Sequence, residues 1–323
     1  MSKRPGGFGI NAVEQDGEQL LPPAVLHLME RLAVAAKGGG RGGLQGKRRS
    51  RNVGSSLEFA DFRPYVPGDD IRRIDWNVYG RTGRAFIRQY WDEQQICVHL
   101  LVDASRSMTF GYPRKDGNKF YYALQLAACI GYAALAGEDR VAVKLFAEQM
   151  SEELPFMRGR SSVFRLIRFL DEQWRTLSGG AGNGGGSGNM AHAFMAASPL
   201  LPRHTGQTWL FSDGLYEQGM EETLDRLIGS GQQVVFVHTL SPDELRPELQ
   251  GELRLIDSEL GTGKDVAFGS GVMNAYRQAL HEHCEYLSVL CGRREIGYVP
   301  VDTGVPLEQT IHRLFLATGL LRG

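Results

Sequence analysis

The sequence predicts an α/β protein with a doubly wound, mostly parallel sheet flanked by helices. Three observations carry that expectation. Short apolar runs of strand length recur at Ile96–Val102, Arg140–Phe146, Thr208–Ser212 and Gln233–His238. Stretches of helical length and periodicity separate several of them, the spacing that parallel crossovers need. Two of the runs close on an acid, Asp103 and Asp213, just ahead of a polar loop. Doubly wound sheets gather ligand groups at the carboxyl ends of their strands.

Taken in order, residues 20–36 read as an amphipathic helix with Pro22 and Pro23 near its start. Lys37–Arg51 follows, with six basic residues, no acids and several glycines, the pattern of a solvated loop. From Leu57 to Glu93 arginines, acids and aromatics alternate around the turn Pro67-Gly68-Asp69-Asp70. Residues 1–94 are therefore expected to form an N-terminal helix, a basic loop and an Arg/aromatic arm. Phe59, Phe62, Tyr65 and Trp76 are too apolar for a free tail. Within the arm Arg63, Asp69, Asp70, Arg72, Asp75 and Trp76 are expected to pack as a structural unit on the main domain.

Residues 95–323 form the expected main domain. Asn118–Ala136 reads as a helix, with Asn118 as N-cap and Gly137 after its end. A short strand covers Glu152–Pro155. Ser161–Trp174 places Phe164, Ile167, Leu170 and Trp174 on one helix face. Gly179–Gly188, with seven glycines in ten residues, is expected to form a flexible loop. Helices are expected at Met190–Leu200 and Gly219–Ile228. Glu252–Ser258 and Lys264–Phe268, around Gly261-Thr262-Gly263, read as a β-hairpin inserted at about 250–270. A helix at Val272–Cys291, a strand at Ile296–Val301 and a helix at Leu307–Leu316 close the chain.

Composition narrows the function classes. The 323 residues are 42% hydrophobic and 23% charged, enough for a large core. Lys and Arg number 36 against 37 Asp and Glu, so net charge gives no pull toward nucleic acid, and none is expected as partner. Four cysteines, Cys97, Cys129, Cys284 and Cys291, form no C-x-x-C pair, and a reduced cytoplasmic location is expected. No signal core or spanning segment is expected. Phe120–Gly137 lacks charge, but its alanines, Gln125 and Gly131 suit a buried helix better than a membrane span.

Asp103, Ser105 and Ser107 present one carboxylate and two hydroxyls from a single loop, all hard oxygen donors suited to Mg²⁺. Leu210-Phe211-Ser212-Asp213-Gly214 supplies a second carboxylate at the same edge if its strand lies beside the first. Asp103, Ser105, Ser107 and Asp213 are thus the candidate metal ligands; without a metal they would form a hydrogen-bonded strand-end network.

The spacing Asp-x-Ser-x-Ser, with a later strand ending Ser-Asp-Gly, resembles the metal-ion-dependent adhesion site of von Willebrand factor A domains. The block before it is more specific: Gly54-Ser55-Ser56-Leu57-Glu58-Phe59, Arg63-Pro64-Tyr65, Pro67-Gly68-Asp69-Asp70, Arg72, Ile74-Asp75-Trp76, Arg81 and Arg84. It resembles the domain-of-unknown-function 58 family, closely over Gly54–Ser107 and loosely beyond. The resemblance implies a von Willebrand A-like domain that acts beside a MoxR-type AAA+ ATPase. Many members of that family carry membrane helices, and with no such segment expected here the chain is expected to be of the soluble type. Where that family has a ligand threonine, this sequence has Gly188. Mg²⁺ is therefore expected to bind weakly, with Mn²⁺ or Ca²⁺ able to substitute.

The expected function is metal-dependent recognition of a protein partner, as an adaptor or co-chaperone, without catalysis. Two rivals are a Mg²⁺-dependent phosphohydrolase using Asp103 and a nucleic-acid binder using Lys37–Arg51 with the arm's arginines. The chain has no G-x-S-x-G elbow and no H-E-x-x-H pair. Gly180, Gly182 and Gly185 satisfy G-x-G-x-x-G only because the stretch is mostly glycine. His281 and His283 point to different sides of one helix and cannot share a metal.

Overall fold

A computed structural model describes residues 19–38, 59–90, 96–109, 111, 114–147, 150–176, 189–195, 200–216, 218–247, 251–256, 263–268 and 270–318. Its helices are α1 (Pro23–Gly38), α2 (Trp76–Thr82), α3 (Arg106–Thr109), α4 (Lys119–Ala136), α5 (Val163–Thr176), α6 (Met220–Gly229), α7 (Pro242–Leu245), α8 (Ser270–Arg293) and α9 (Leu307–Thr318). Its strands are β1 (Phe59–Pro64), β2 (Phe86–Tyr90), β3 (Cys97–Asp103), β4 (Arg140–Phe146), β5 (Met150–Arg158), β6 (Gly206–Ser212), β7 (Gln232–Leu240), β8 (Gly251–Ile256), β9 (Gly263–Phe268) and β10 (Gly297–Asp302).

The main sheet has the order β10-β7-β6-β3-β4-β5. Every neighbouring pair is parallel except β4 with the edge strand β5. The expected α/β fold with a mostly parallel sheet is therefore present. β3 lies at its centre and is buried along its whole length. Its side chains alternate, as a strand with helices on both faces requires. Val98, Leu100 and Val102 enter the core shared with α1, α4, α5 and α9, while Leu101 enters the core shared with α6 and α8. β6 lies so close against β3 that a Cβ at Gly206 would stand 2.0 Å from the Cys97 carbonyl oxygen. Only glycine permits that approach.

α4 is the central helix of the first layer and is buried almost entirely, which explains its apolar character all round. Among the described residues no helix is long and apolar enough to cross a membrane. The Asn118 side chain caps α4 by accepting from the Tyr121 N–H at 3.0 Å. α1 packs against α4 and α9. Leu20, Leu21, Val25 and Met29 thereby join the core of the main sheet. The Gln125 amide fixes the entry to α1 by donating to the Leu20 carbonyl at 2.8 Å.

The arm contains a β-hairpin that the alternation of charge and aromatics had not suggested. β1 and β2 pair antiparallel, and Ile74 bridges to Ile87. The Arg63 guanidinium makes two 2.6 Å bonds to the Asp69 carboxylate. Asp70 accepts from the Arg72 N–H, and buried Asp75 caps α2 through the Asn77 and Val78 N–H groups. The polar residues thus order the arm internally. Trp76 departs from the expected packing: it is 61% exposed and meets Tyr79 edge-on.

The inserted hairpin is present as β8 and β9, a separate antiparallel sheet. Of the expected helix at Met190–Leu200, the described residues 190–195 form none. A single 3-10 turn, Met190–His192, takes its place, capped by Asn189. Met190 and Phe194 drive into the core beneath α6, and Arg226 donates to the Phe194 carbonyl at 2.6 Å. That bond satisfies a carbonyl which a continuing helix would have used itself. Lys37 and Gly38 end α1; the rest of Lys37–Arg51 lies outside the described residues, as do Gly54–Glu58 and Gly179–Gly188.

Candidate functional site

Parallel pairing of β3 with β6 brings Asp103 and Asp213 to one carboxyl edge of the sheet, on neighbouring central strands. Both are fully buried. Ser105 directly precedes α3 and Ser107 lies within it, their hydroxyl oxygens 3.1 Å apart. The four residues singled out from the sequence therefore do converge on one edge.

Each carboxylate is enclosed by donors. Asp103 Oδ1 accepts from the Ser105 N–H at 2.9 Å and from the Tyr216 hydroxyl at 3.1 Å. Its Oδ2 accepts from the Ser212 hydroxyl at 2.6 Å. Burial first, and the nearby Asp213 second, raise its pKa above the ordinary carboxylate range. Asp213 Oδ1 accepts from the Leu215 N–H at 3.1 Å, and its Oδ2 from Lys119 Nζ at 2.7 Å.

Lys119 was not among the candidates, and it dominates the electrostatics of the edge. It opens α4 directly after the cap and is 5% exposed. Besides Asp213 it binds the Glu244 carboxylate. Burial alone would lower its pKa, but Asp213 and then Glu244 overcome that and raise it, so the ammonium stays charged. Glu244 is held in turn by a capping box at the start of α7, where its Oε2 accepts from the Ser241 N–H at 2.8 Å.

On the far side of Asp213, His238 Nε2 lies 2.9 Å from the Asp213 carbonyl oxygen and Nδ1 lies 2.8 Å from the Tyr298 hydroxyl. A carbonyl only accepts, so Nε2 carries the proton and Nδ1 accepts from Tyr298. Burial, then the neighbouring His283, pushes the imidazole down to about 4. It is neutral near pH 7.

Sequence reasoning missed Ser212, Tyr216, Lys119, His238 and Glu244. One signal was available for Lys119. A cation at a helix N-terminus opposes the helix dipole, so it needs nearby anions. The other four come from β6, the loop after it, β7 and α7, and only the folded sheet brings them together.

These residues do not fit a divalent ion as they stand. Mg²⁺ wants about six oxygens with free lone pairs directed at it. Both Asp103 oxygens, both Asp213 oxygens and both Ser hydroxyls already have partners within the protein. A positive charge already sits between Asp213 and Glu244. Among the described residues no group of three or more His, Cys, Asp or Glu side chains is arranged to hold a metal. Gly188, the expected threonine position, lies outside those residues.

Comparison with known proteins bears on family, not chemistry. The family model described as "Protein of unknown function DUF58" matches residues 61–286. The chain is 25% identical over 242 residues to the uncharacterized protein Rv1480 of Mycobacterium tuberculosis, covering 75% of this chain and 73% of that protein. The uncharacterized protein Mb1516 of Mycobacterium bovis matches over the same length at the same identity and coverage. Among solved structures, the conserved hypothetical protein BatB from Bacteroides thetaiotaomicron is 16% identical, with 68% of this chain and 98% of that chain covered and a TM-score of 0.38. An aerotolerance-related membrane protein from Bacteroides fragilis is 17% identical, with 67% and 97% covered and a TM-score of 0.35. At those TM-scores neither likeness carries an argument.

Proposed function

The chain belongs to the DUF58 family of proteins of unknown function, and from that premise we propose that its main domain is a von Willebrand A-like recognition module. In this reading the carboxyl edge of the sheet receives a protein partner and performs no chemistry. The partner is a MoxR-type AAA+ ATPase, for which the chain acts as an adaptor or co-chaperone in the cytoplasm. All four cysteines are free, which agrees with a reducing compartment.

One observation carries the reading. The carboxylates of Asp103 and Asp213 are fully buried and each of their oxygens already accepts a hydrogen bond, so they order the edge instead of attacking a substrate. The Asp213–Lys119–Glu244 network ties together β6, α4 and α7. An edge held together by these buried ion pairs suits docking, because the groups it ties need no ordering on binding. The phosphohydrolase alternative would require Asp103 as a nucleophile or base, and a carboxylate at zero exposure is out of reach of a substrate.

The test is direct binding of the purified chain to a MoxR-type ATPase from the same organism. Complex formation is expected, and Ser107→Arg, at the half-buried rim of the edge, should weaken it at least about tenfold, the equivalent of about 1.4 kcal/mol. No complex, or a complex indifferent to Ser107→Arg, would overturn the proposal.

A further inference from the structure

The geometry points to Lys119 as a resident cation: we propose that its ammonium supplies, from within the chain, the positive charge that a divalent ion would bring to this edge. The site then works without metal. The inference goes beyond the recognition reading and stands whether or not a partner docks there.

Three observations carry it. First, Lys119 Nζ is 2.7 Å from Asp213 Oδ2 and also binds Glu244, so one charge bridges two carboxylates, as a bound cation would. Second, the position is built. Asn118 caps α4 and fixes the backbone from which Lys119 projects, and the capping box fixes Glu244. Thr303 reinforces the segment by donating to the Gly117 carbonyl at 2.8 Å. Third, Lys119 is 5% exposed and Asp213 0%, so neither is a surface charge that happens to find a partner. The remaining ligand candidates are occupied separately: Asp103 by Ser212, Tyr216 and the Ser105 N–H, and Ser105 by Ser107.

A tethered ammonium differs chemically from an ion. It has three donors, no exchangeable coordination position and no dissociation equilibrium. A partner's acidic side chain therefore cannot complete a coordination shell here. Recognition at this edge must use the surrounding loops.

The test uses the full-length chain with Mn²⁺ alone and Mg²⁺ alone. Wild type is expected to take up neither at millimolar concentration by calorimetry, and to melt at the same temperature in Mg²⁺ and in chelator. Lys119→Ala vacates the point between Asp213 and Glu244, and should gain Mn²⁺ uptake and a melting temperature that Mn²⁺ raises. If Lys119→Ala does not fold, Lys119→Arg keeps the charge and should fold with wild-type indifference to Mn²⁺. Wild-type Mn²⁺ uptake abolished by Asp213→Asn would overturn the inference. So would a Lys119→Ala chain as stable as wild type in chelator, or Mn²⁺ uptake by Lys119→Arg.

Discussion

Lys119 and Asp213 are 94 residues apart in the chain and 2.7 Å apart in the fold. Their contact joins the start of α4 to the end of β6, and it lies beneath the loops of the edge. A buried ion pair of this kind is a poor guide to net stability, but a good guide to what happens when one partner is lost.

Lys119→Met should therefore destabilise the chain by about 3 to 5 kcal/mol, because Asp213 is left charged and buried. Adding Asp213→Asn to Lys119→Met should recover part of that loss. Urea denaturation of the two variants checks it. A loss below about 1 kcal/mol, the range of an exposed pair, would show the contact to be loose in solution.

The Ser212 hydroxyl makes the shortest bond to Asp103, at 2.6 Å. Ser212→Ala removes a donor to a buried carboxylate and should cost about 1.5 to 3 kcal/mol. Tyr216→Phe, which removes the longer 3.1 Å bond, should cost less. Equal costs for the two, measured by chemical denaturation, would mean that Asp103 does not discriminate between its donors.

Asp139 provides a pH effect away from the edge. Burial pushes it up to about 6 from 3.8, against the Ile96 N–H and Arg158, which pull it down. The folded chain therefore holds this proton more tightly than the unfolded chain. Its contribution to stability is complete below about 4 and disappears as pH rises through about 6. Asp139→Asn keeps an acceptor for Ile96 and should stabilise the chain at pH 7, on the order of 1 kcal/mol or more. It should also flatten the stability profile between those pH values. A profile unchanged by the substitution would assign the slope to other groups.

Asn118→Ala should cost about 1 kcal/mol through the lost cap on α4. It should also loosen Lys119, the next residue. Hydrogen exchange at the Tyr121 amide, which Asn118 accepts, should rise first. Protection unchanged at Tyr121 would show that the cap is replaced by water at no cost.

Much of this fold was legible because β3, β4, β6 and β7 are apolar runs that leave few alternatives. Asp103 and Asp213 were legible for a related reason: a charge ends each apolar run, and such charges belong at the sheet's edge. What the chain conceals is lateral. Lys119 follows an ordinary cap, and nothing near it in sequence names Asp213 or Glu244 as its partners. The arm's hairpin was hidden because β1 and β2 are joined through a 3-10 turn and α2, not through a tight turn with its own residue signature. At Met190–Leu200 the residues suit a helix, but Arg226 claims the Phe194 carbonyl from another element. Local preference loses there to tertiary bonding.

The docking of α1 onto α4 and α9 imposes an order on synthesis. α1 leaves the ribosome before any strand of the main sheet, yet Val25 and Met29 need α4, and α9 emerges only after β10 is complete. Until α4 emerges the first helix therefore carries an apolar stripe with no surface to meet, and its contact with α9 waits until β10 is complete. The nascent chain is then open to chaperone capture, and its core closes last where its earliest and latest helices touch.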